Sequence, residues 1–133
     1  LHGFLAHLPH YTEIKSPKYG GCVVTHSGIH CGSYIRNADR TINITESIMN
    51  AARRDEYRFL ISPDIHNVPF ADKKAFDRYV FCGHVTTNRL NEDHSYNVYK
   101  TPYYMDLDCG NGERYRGGKL ACYCVDEDRV VYI

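Results

Sequence analysis

Two short apolar runs, each ending in a histidine, stand out in the pattern of hydrophobic and polar positions. The first is GCVVTH at residues 21–26, which is rich in β-branched side chains and is followed by Ser27-Gly28. The second is YVFCGH at residues 79–84. Runs of this kind predict buried strands. His26 and His84 are therefore each expected at the end of a strand, where a loop begins and where functional side chains are commonly presented.

The middle of the chain has helical and irregular patterns. Residues 45–54 predict a helix, with Thr45 as its N-cap and basic residues in its last turn. Residues 71–78 predict a short polar helix. Residues 29–42 have no clear period and are expected to form a loop, and residues 62–69 contain two prolines and are expected to be irregular.

The last third of the chain predicts short strands separated by turns. Asn111-Gly112 and Gly117-Gly118 are turn dipeptides, and Glu127-Asp128 is expected at the tip of a hairpin. The four predicted strands are residues 96–100, 103–107, 119–125 and 129–133.

The composition is that of a folded chain with no strong charge bias. The chain has 133 residues, of which 43% are hydrophobic, enough for one compact domain or part of a larger one. Its 16 basic and 16 acidic residues balance, which argues against a nucleic-acid partner. No apolar run approaches the roughly 20 residues of a membrane span, so no membrane partner is expected.

Six cysteines bear on the cellular compartment. Four of them, Cys22, Cys82, Cys122 and Cys124, lie in apolar runs, and free cysteine is a common core residue. We therefore expect a reduced, cytoplasmic chain. A disulfide-rich secreted domain is the alternative, and it depends on the cysteine count alone.

His26 and His84 are the main candidates for chemistry. Strands that end at the same edge of a sheet would bring the two imidazoles together, and neutral histidine is the commonest metal ligand. The neighbouring glycines would let the backbone approach a ligand closely. The residues alone leave two interpretations open, a shared metal site and two surface histidines without a function.

Several segments resemble motifs of the calcineurin-like phosphoesterases, in that family's order. Residues 23–29 (VVTHSGI) resemble its strand followed by H-[AGS]-G-[ILV], and residues 81–85 (FCGHV) resemble its G-H-[TQV] motif. Residues 104–110 and 117–122 are similar to its closing I-D-x-x-C-G and G-G-x-L-A strands. Residues 4–9 (FLAHLP) resemble a short L-P segment. The similarity is greatest to the branch of protein phosphatases and symmetrical dinucleoside tetraphosphate hydrolases.

This resemblance implies both a fold and an activity. The expected fold class is α/β, with residues 1–133 forming the C-terminal half of a calcineurin-like two-sheet β-sandwich flanked by helices. The implied activity is metal-dependent phosphoester hydrolysis, like that of a serine/threonine protein phosphatase, by water activated between two divalent metal ions (Mn, Fe or Zn). His26 and His84 would both be ligands of the second metal. The implied substrate is a phosphorylated protein or another phosphoester.

The sequence also departs from the family pattern. The motifs G-D-x-H-G, G-D-x-x-D-R and G-N-H-[ED], which supply the other metal ligands and the acid histidine, are absent. We therefore expect a fragment that lacks the N-terminal half of the enzyme and is inactive by itself. The alternative is a catalytically inactive binding module that keeps the fold and recognises a phosphorylated partner.

A second departure concerns phosphate binding. Relatives often carry an L-W-x-R segment whose arginine binds phosphate through two hydrogen bonds. Pro63 stands at that position here, so Arg36, Arg53 or Arg58 would have to take the role. Arg36 and Arg58 are the substrate-binding candidates that we retain.

Other polar residues have weaker signals. His30 is expected to be solvated, with substrate orientation as the alternative, and His66 and His94 are predicted to lie on the surface. Asp106 and Asp108 would either support a metal-bound histidine or stabilise a turn through side-chain hydrogen bonds.

Overall fold

A five-stranded mixed sheet forms the centre of the protein. The computed structural model describes residues 8–29, 31–61 and 64–133, so the L-P segment (in part), His30 and Pro63 lie outside the described residues. The strands of this sheet are β1 (Tyr11–Ser16), β2 (Gly20–Thr25), β5 (Tyr79–Cys82), β6 (Tyr99–Lys100) and β7 (Tyr104–Asp106). Their order is β1-β2-β5-β7-β6.

Helices and two small sheets complete the described structure. Two hairpins pair β3 (Ile35–Arg36) with β4 (Ile42–Asn43) and β8 (Ala121–Cys124) with β9 (Arg129–Tyr132). Among the described residues, no helix has the length and apolar character needed to cross a bilayer. The helices are α1 (Ile44–Arg54), α2 (Glu56–Ile61), α3 (Asp64–Asn67) and α4 (Phe70–Lys73), with 3-10 turns at Cys31–Ser33, Thr87–Arg89 and Asn111–Arg116.

The three central strands run in the same direction. β2 pairs with β5 in parallel, with Val24 opposite Phe81, and β5 pairs with β7 in parallel, with Phe81 opposite Met105. The edge strands β1 and β6 are antiparallel to their neighbours. The carboxyl ends of β2, β5 and β7 therefore meet at one edge of the sheet, which is where open α/β sheets bind ligands.

Alternating side chains give the sheet two buried faces. Val23, Val80 and Cys82 face the helices and pack in one cluster with residues of α1, α2 and α3. α1 contributes Ile44, Ile48, Ala51 and Ala52, whose spacing places them on one side of a helix. On the opposite face, Cys22, Tyr79, Phe81 and Met105 form a second cluster, against which Tyr123 of β8 packs.

The mixed α/β class predicted from the sequence is confirmed. The predicted helix at residues 45–54 is present, but it begins at Ile44, and Thr45 is not its N-cap. Asn43 takes that position, because its side-chain oxygen accepts a hydrogen bond from the Glu46 amide at 3.0 Å.

Other boundaries also differ from the sequence-based expectations. α2 was not predicted, and the expected loop at residues 29–42 contains β3. The helix expected at residues 71–78 ends at Lys73, because Phe76 then pairs with Ile42 in a parallel bridge that leads into β5.

Candidate metal centre

The sheet edge brings His26 and His84 together. Their ring centroids lie 5.0 Å apart, with 69° between the ring planes. The backbone holds the two strand ends in register, since the amide of Gly83 donates to the carbonyl of His26 at 2.8 Å. The two histidines are therefore as close together as their positions at matching strand ends predicted. Their rings are close enough to contact one bound ion.

The orientation of His84 suits a metal ligand. Its Nε2 lies 2.8 Å from the carbonyl oxygen of Ile61. A carbonyl only accepts, so Nε2 must carry the proton, and in the neutral ring Nδ1 then keeps its lone pair. Metal-binding histidines commonly donate their other ring N–H in this way. His84 also has φ +77°, a left-handed conformation that is uncommon for residues other than glycine and that is concentrated at functional sites.

The surroundings of His26 favour the neutral form of its ring. Burial lowers its pKa, and the neighbouring His84 lowers it further, whereas Asp108 and Asp106 act in the opposite direction. A lowered pKa means that the ring is uncharged at neutral pH, which is the form that binds metals.

The pair lines an open pocket. A cavity of about 340 Å³ is bounded by His26, His84, Asp108 and neighbouring residues at the ends of β2 and β5, Cys82 among them. A second, larger cavity of about 860 Å³ shares His26 and extends towards His10 and Glu56. His26 therefore lines both cavities.

The pair does not by itself complete a metal-binding set. Across residues 8–29, 31–61 and 64–133, three mutually close donor atoms occur at one other place, and not around His26 and His84. Asp108 lines the pocket, but its Oδ1 accepts a hydrogen bond from the Gly110 amide at 3.1 Å. The two imidazoles thus supply two protein ligands, one fewer than the three that catalytic zinc sites usually have.

Asp106 and Asp108 stabilise the turn that follows β7. Asp106 Oδ1 accepts from the Asp108 amide at 2.8 Å, and Asp108 in turn accepts from Gly110. These are successive turns closed by a side-chain oxygen. The turn-stabilising interpretation of the two carboxylates is confirmed for these two oxygens.

The substrate-binding candidates lie away from the histidine pocket. Arg36 forms an ion pair with Asp72 at 3.0 Å and donates to the carbonyl of Arg40 at 2.9 Å. Arg58 lines a separate cavity of about 300 Å³ beside α1 and α2. Neither side chain lines the pocket that contains His26 and His84.

Gly28 makes a close packing contact that the sequence did not predict. It has φ +91°, and a Cβ there would lie 2.5 Å from Cβ of Ile65. The glycine beside His26 therefore lets α3 pack closely against the loop, and the close approach is made by a core side chain.

The prediction that His66 is a surface residue is wrong. Its side chain is 8% exposed, and its Nε2 lies 3.1 Å from Oδ2 of the fully buried Asp106. Nδ1 of the same ring lies 3.2 Å from the hydroxyl of Tyr104. The signal in the sequence was Asp106, because a carboxylate in an apolar strand needs a polar group or an ion beside it.

Comparison with protein-family models, with curated proteins and with solved structures finds no match for this chain. The functional interpretation therefore depends on the geometry of the residues and on the motif resemblance.

Proposed function

We propose that this chain forms part of a metal-dependent phosphoesterase of the calcineurin-like type, in which His26 and His84 bind one divalent cation. The observation that carries the proposal is the approach of the two imidazoles, 5.0 Å between centroids, at the ends of the parallel strands β2 and β5. The segments around both histidines are also among those that resemble the family's motifs.

The two histidines would act as neutral ligands. His84 keeps Nδ1 available because Nε2 donates to Ile61, and the lowered pKa of His26 keeps its ring unprotonated. Mn, Fe and Zn all accept imidazole and carboxylate ligands. A cation bound there would polarise a phosphate oxygen and lower the pKa of a bound water. The open pocket beside the pair leaves space for a phosphoester, either a phosphorylated protein or a smaller molecule.

The other ligands of a two-metal centre would have to come from residues outside this chain. The sequence contains none of the motifs G-D-x-H-G, G-D-x-x-D-R or G-N-H-[ED]. We therefore expect the isolated chain to bind metal without hydrolysing phosphoesters. Cys22, Cys82 and Cys109 are buried without disulfides, which supports the cytoplasmic location that we propose.

A catalytically inactive binding module is the second candidate. It is favoured because, among the described residues, no third donor atom lies within 4.8 Å of donor atoms on both histidines, and because Arg36 is already in an ion pair. Such a module would bind a phosphorylated partner through the same pocket. Supplying the missing motifs on a second polypeptide distinguishes the two candidates, because the enzyme part gains activity and the binding module does not.

Calorimetric titration of the chain with Mn²⁺ tests the shared ligation. We expect binding that falls at least about tenfold in His26→Asn and in His84→Asn, since each variant removes one ligand. His94→Asn is the matched control, because His94 is exposed and also has a positive φ. Unchanged Mn²⁺ affinity in both site variants would refute the proposal.

An activity assay completes the test. With p-nitrophenyl phosphate and Mn²⁺, the isolated chain should show no turnover above that of His84→Asn. Metal-dependent turnover that His84→Asn abolishes would show that the chain contains a complete active site, contrary to our expectation.

A further inference from the structure

We propose that His66, Cys82 and Asp106 form a zinc-binding site on the helix-facing side of the central sheet. These three residues are called the buried cluster. The three residues come from α3, β5 and β7, and their donor atoms all lie within 4.8 Å of one another. The buried cluster shares no residue with the pair formed by His26 and His84. Cys82 packs on the helix-facing side of the sheet, and it also lines the neighbouring histidine pocket.

Unpartnered polar atoms point into the buried cluster. His66 Nε2 and Asp106 Oδ2 lie 3.1 Å apart, with side chains 8% and 0% exposed. Despite this distance, neither atom has a hydrogen-bond partner, so the contact is one of proximity without hydrogen-bond alignment. Buried polar atoms without partners are uncommon in folded proteins and need an explanation, and a shared cation explains two such atoms that face each other. Two atoms that bind the same cation lie close together in this way, without a hydrogen bond between them.

The spacing matches tetrahedral zinc. With zinc bonds of about 2.0–2.3 Å, neighbouring ligand atoms in a tetrahedral site lie about 3.3–3.8 Å apart. The 3.1 Å between His66 Nε2 and Asp106 Oδ2 is close to this range, and the Cys82 sulfur lies within 4.8 Å of both atoms.

The second ring nitrogen of His66 is also accounted for. Its Nδ1 lies 3.2 Å from the Tyr104 hydroxyl, which fixes the ring with Nε2 towards the cluster. Metal-binding histidines are usually oriented by such a partner.

Charge explains why zinc suits this environment. A thiolate from Cys82 and a carboxylate from Asp106 together balance the two positive charges of Zn²⁺, so the loaded site has no net charge. Without a cation, Asp106 is a fully buried carboxylate, which is costly in an apolar core. Thiolate ligands favour zinc over magnesium or manganese, which prefer oxygen.

Titration of the chelator-treated complete chain with Co²⁺ tests this proposal. We expect one equivalent to bind with a thiolate-to-cobalt charge-transfer absorption, and Zn²⁺ to displace it. Cys82→Ser should abolish this absorption, whereas Cys22→Ser, which alters a thiol that is equally buried on β2, should keep it. Loss of a ligand in His66→Gln or Asp106→Asn should weaken Zn²⁺ binding at least about 100-fold, and Tyr104→Phe about tenfold.

Folding and the neighbouring site are controlled separately. Circular dichroism reports whether each variant folds. If Cys82→Ser does not fold, two other measurements test the site: Zn²⁺ binding by the isosteric variant Asp106→Asn, and the rise in the melting temperature of the unaltered chain when Zn²⁺ is added. The double variant His26→Asn, His84→Asn should retain the cobalt absorption. Absence of the absorption in the unaltered chain, its persistence in Cys82→Ser, or its loss in the double variant would overturn the proposal.

Discussion

His84 donates its Nε2 proton to the carbonyl of Ile61 at 2.8 Å, and this bond joins the end of β5 to the end of α2. Ser27 makes the equivalent link from the end of β2, since its hydroxyl donates to the carbonyl of Phe59 at 2.6 Å. The last carbonyls of a helix have no partner within the helix. The C-terminal turn of α2 therefore receives hydrogen bonds from both strand ends that carry the histidines, which fixes their relative position.

The left-handed backbone at His84 predicts an unequal response to substitution. Asn tolerates a positive φ, whereas a β-branched residue does not. We expect His84→Val to lower the free energy of unfolding by about 1–2 kcal/mol more than His84→Asn does. Urea denaturation of both variants measures the difference. Equal stability of the two variants would show that φ +77° does not persist in solution.

Gly28 is predicted to be intolerant of any side chain. In Gly28→Ala, the new Cβ would lie 2.5 Å from Ile65 at a residue with φ +91°, so we expect a loss of about 2–4 kcal/mol from overpacking and backbone strain together. Gly21→Ala is the matched control, because Gly21 lies in β2 with no atom within 4 Å of the added Cβ. Urea unfolding checks both, and similar stabilities would contradict the packing of α3 against this loop.

Asp128 connects the β8–β9 hairpin to the main sheet. Its carboxylate accepts hydrogen bonds from Lys18, from Lys100 at 2.9 Å and from the Tyr123 hydroxyl at 2.6 Å. The Lys18 contact, followed by those of Tyr123 and Lys100, lowers the pKa of Asp128 well below its ordinary value. Asp128→Asn keeps the shape and removes the charge, so its urea midpoint should be lower than that of the unaltered chain.

The pH dependence of that difference follows from the sign of the shift. A carboxyl whose pKa is lower in the folded state contributes its full stability above the unfolded value of about 3.9 and loses it as the pH falls towards the folded value. The difference between the two chains should thus be constant near neutral pH, shrink below about pH 4 and decrease with added salt. A difference that does not change between pH 7 and pH 3 would contradict this account.

The lowered pKa of His26 predicts a second effect of pH on stability, over a different pH range. Its folded-state pKa lies below the unfolded value of about 6.5, so the unfolded chain binds more protons and stability falls as the pH drops below about 6.5. Above about pH 6.5, His26 adds no pH dependence to the free energy of unfolding. Compared with His26→Asn, the unaltered chain should therefore lose stability on acidification from pH 7 to pH 5. Parallel stability curves for the two chains would contradict the lowered pKa.

The sequence was informative where apolar runs were regular. The β-branched run before His26 and the apolar run before His84 predicted two strands correctly, and the parallel pairing of β2 with β5 makes their ends meet. Helix α1 was also predictable, since its apolar positions share one face. In each of these segments local preference and tertiary packing favour the same structure.

The missed features depend on contacts between distant segments. Asp106 and His66 are 40 positions apart in the sequence, and nothing near His66 in the sequence indicates that a carboxylate faces it. Asn43, and not Thr45, is the N-cap of α1. The side chain of Asp77 accepts a hydrogen bond from the Ile44 amide at 3.0 Å, and this contact helps to set where the helix begins. The short helix α2 is held by hydrogen bonds from Ser27 and His84, which local propensity does not reveal.

The most direct test of the central claim is a nuclear magnetic resonance measurement of the histidine rings with bound ¹¹³Cd²⁺. The chain would carry ¹⁵N-labelled histidine and the substitution Cys82→Ser, which removes the thiol of the buried cluster. We predict that a single cadmium resonance couples to ring nitrogens of both His26 and His84, through Nδ1 in the case of His84, while His94 is unaffected. Cadmium that couples to neither ring, or to only one of them, would contradict a shared metal site.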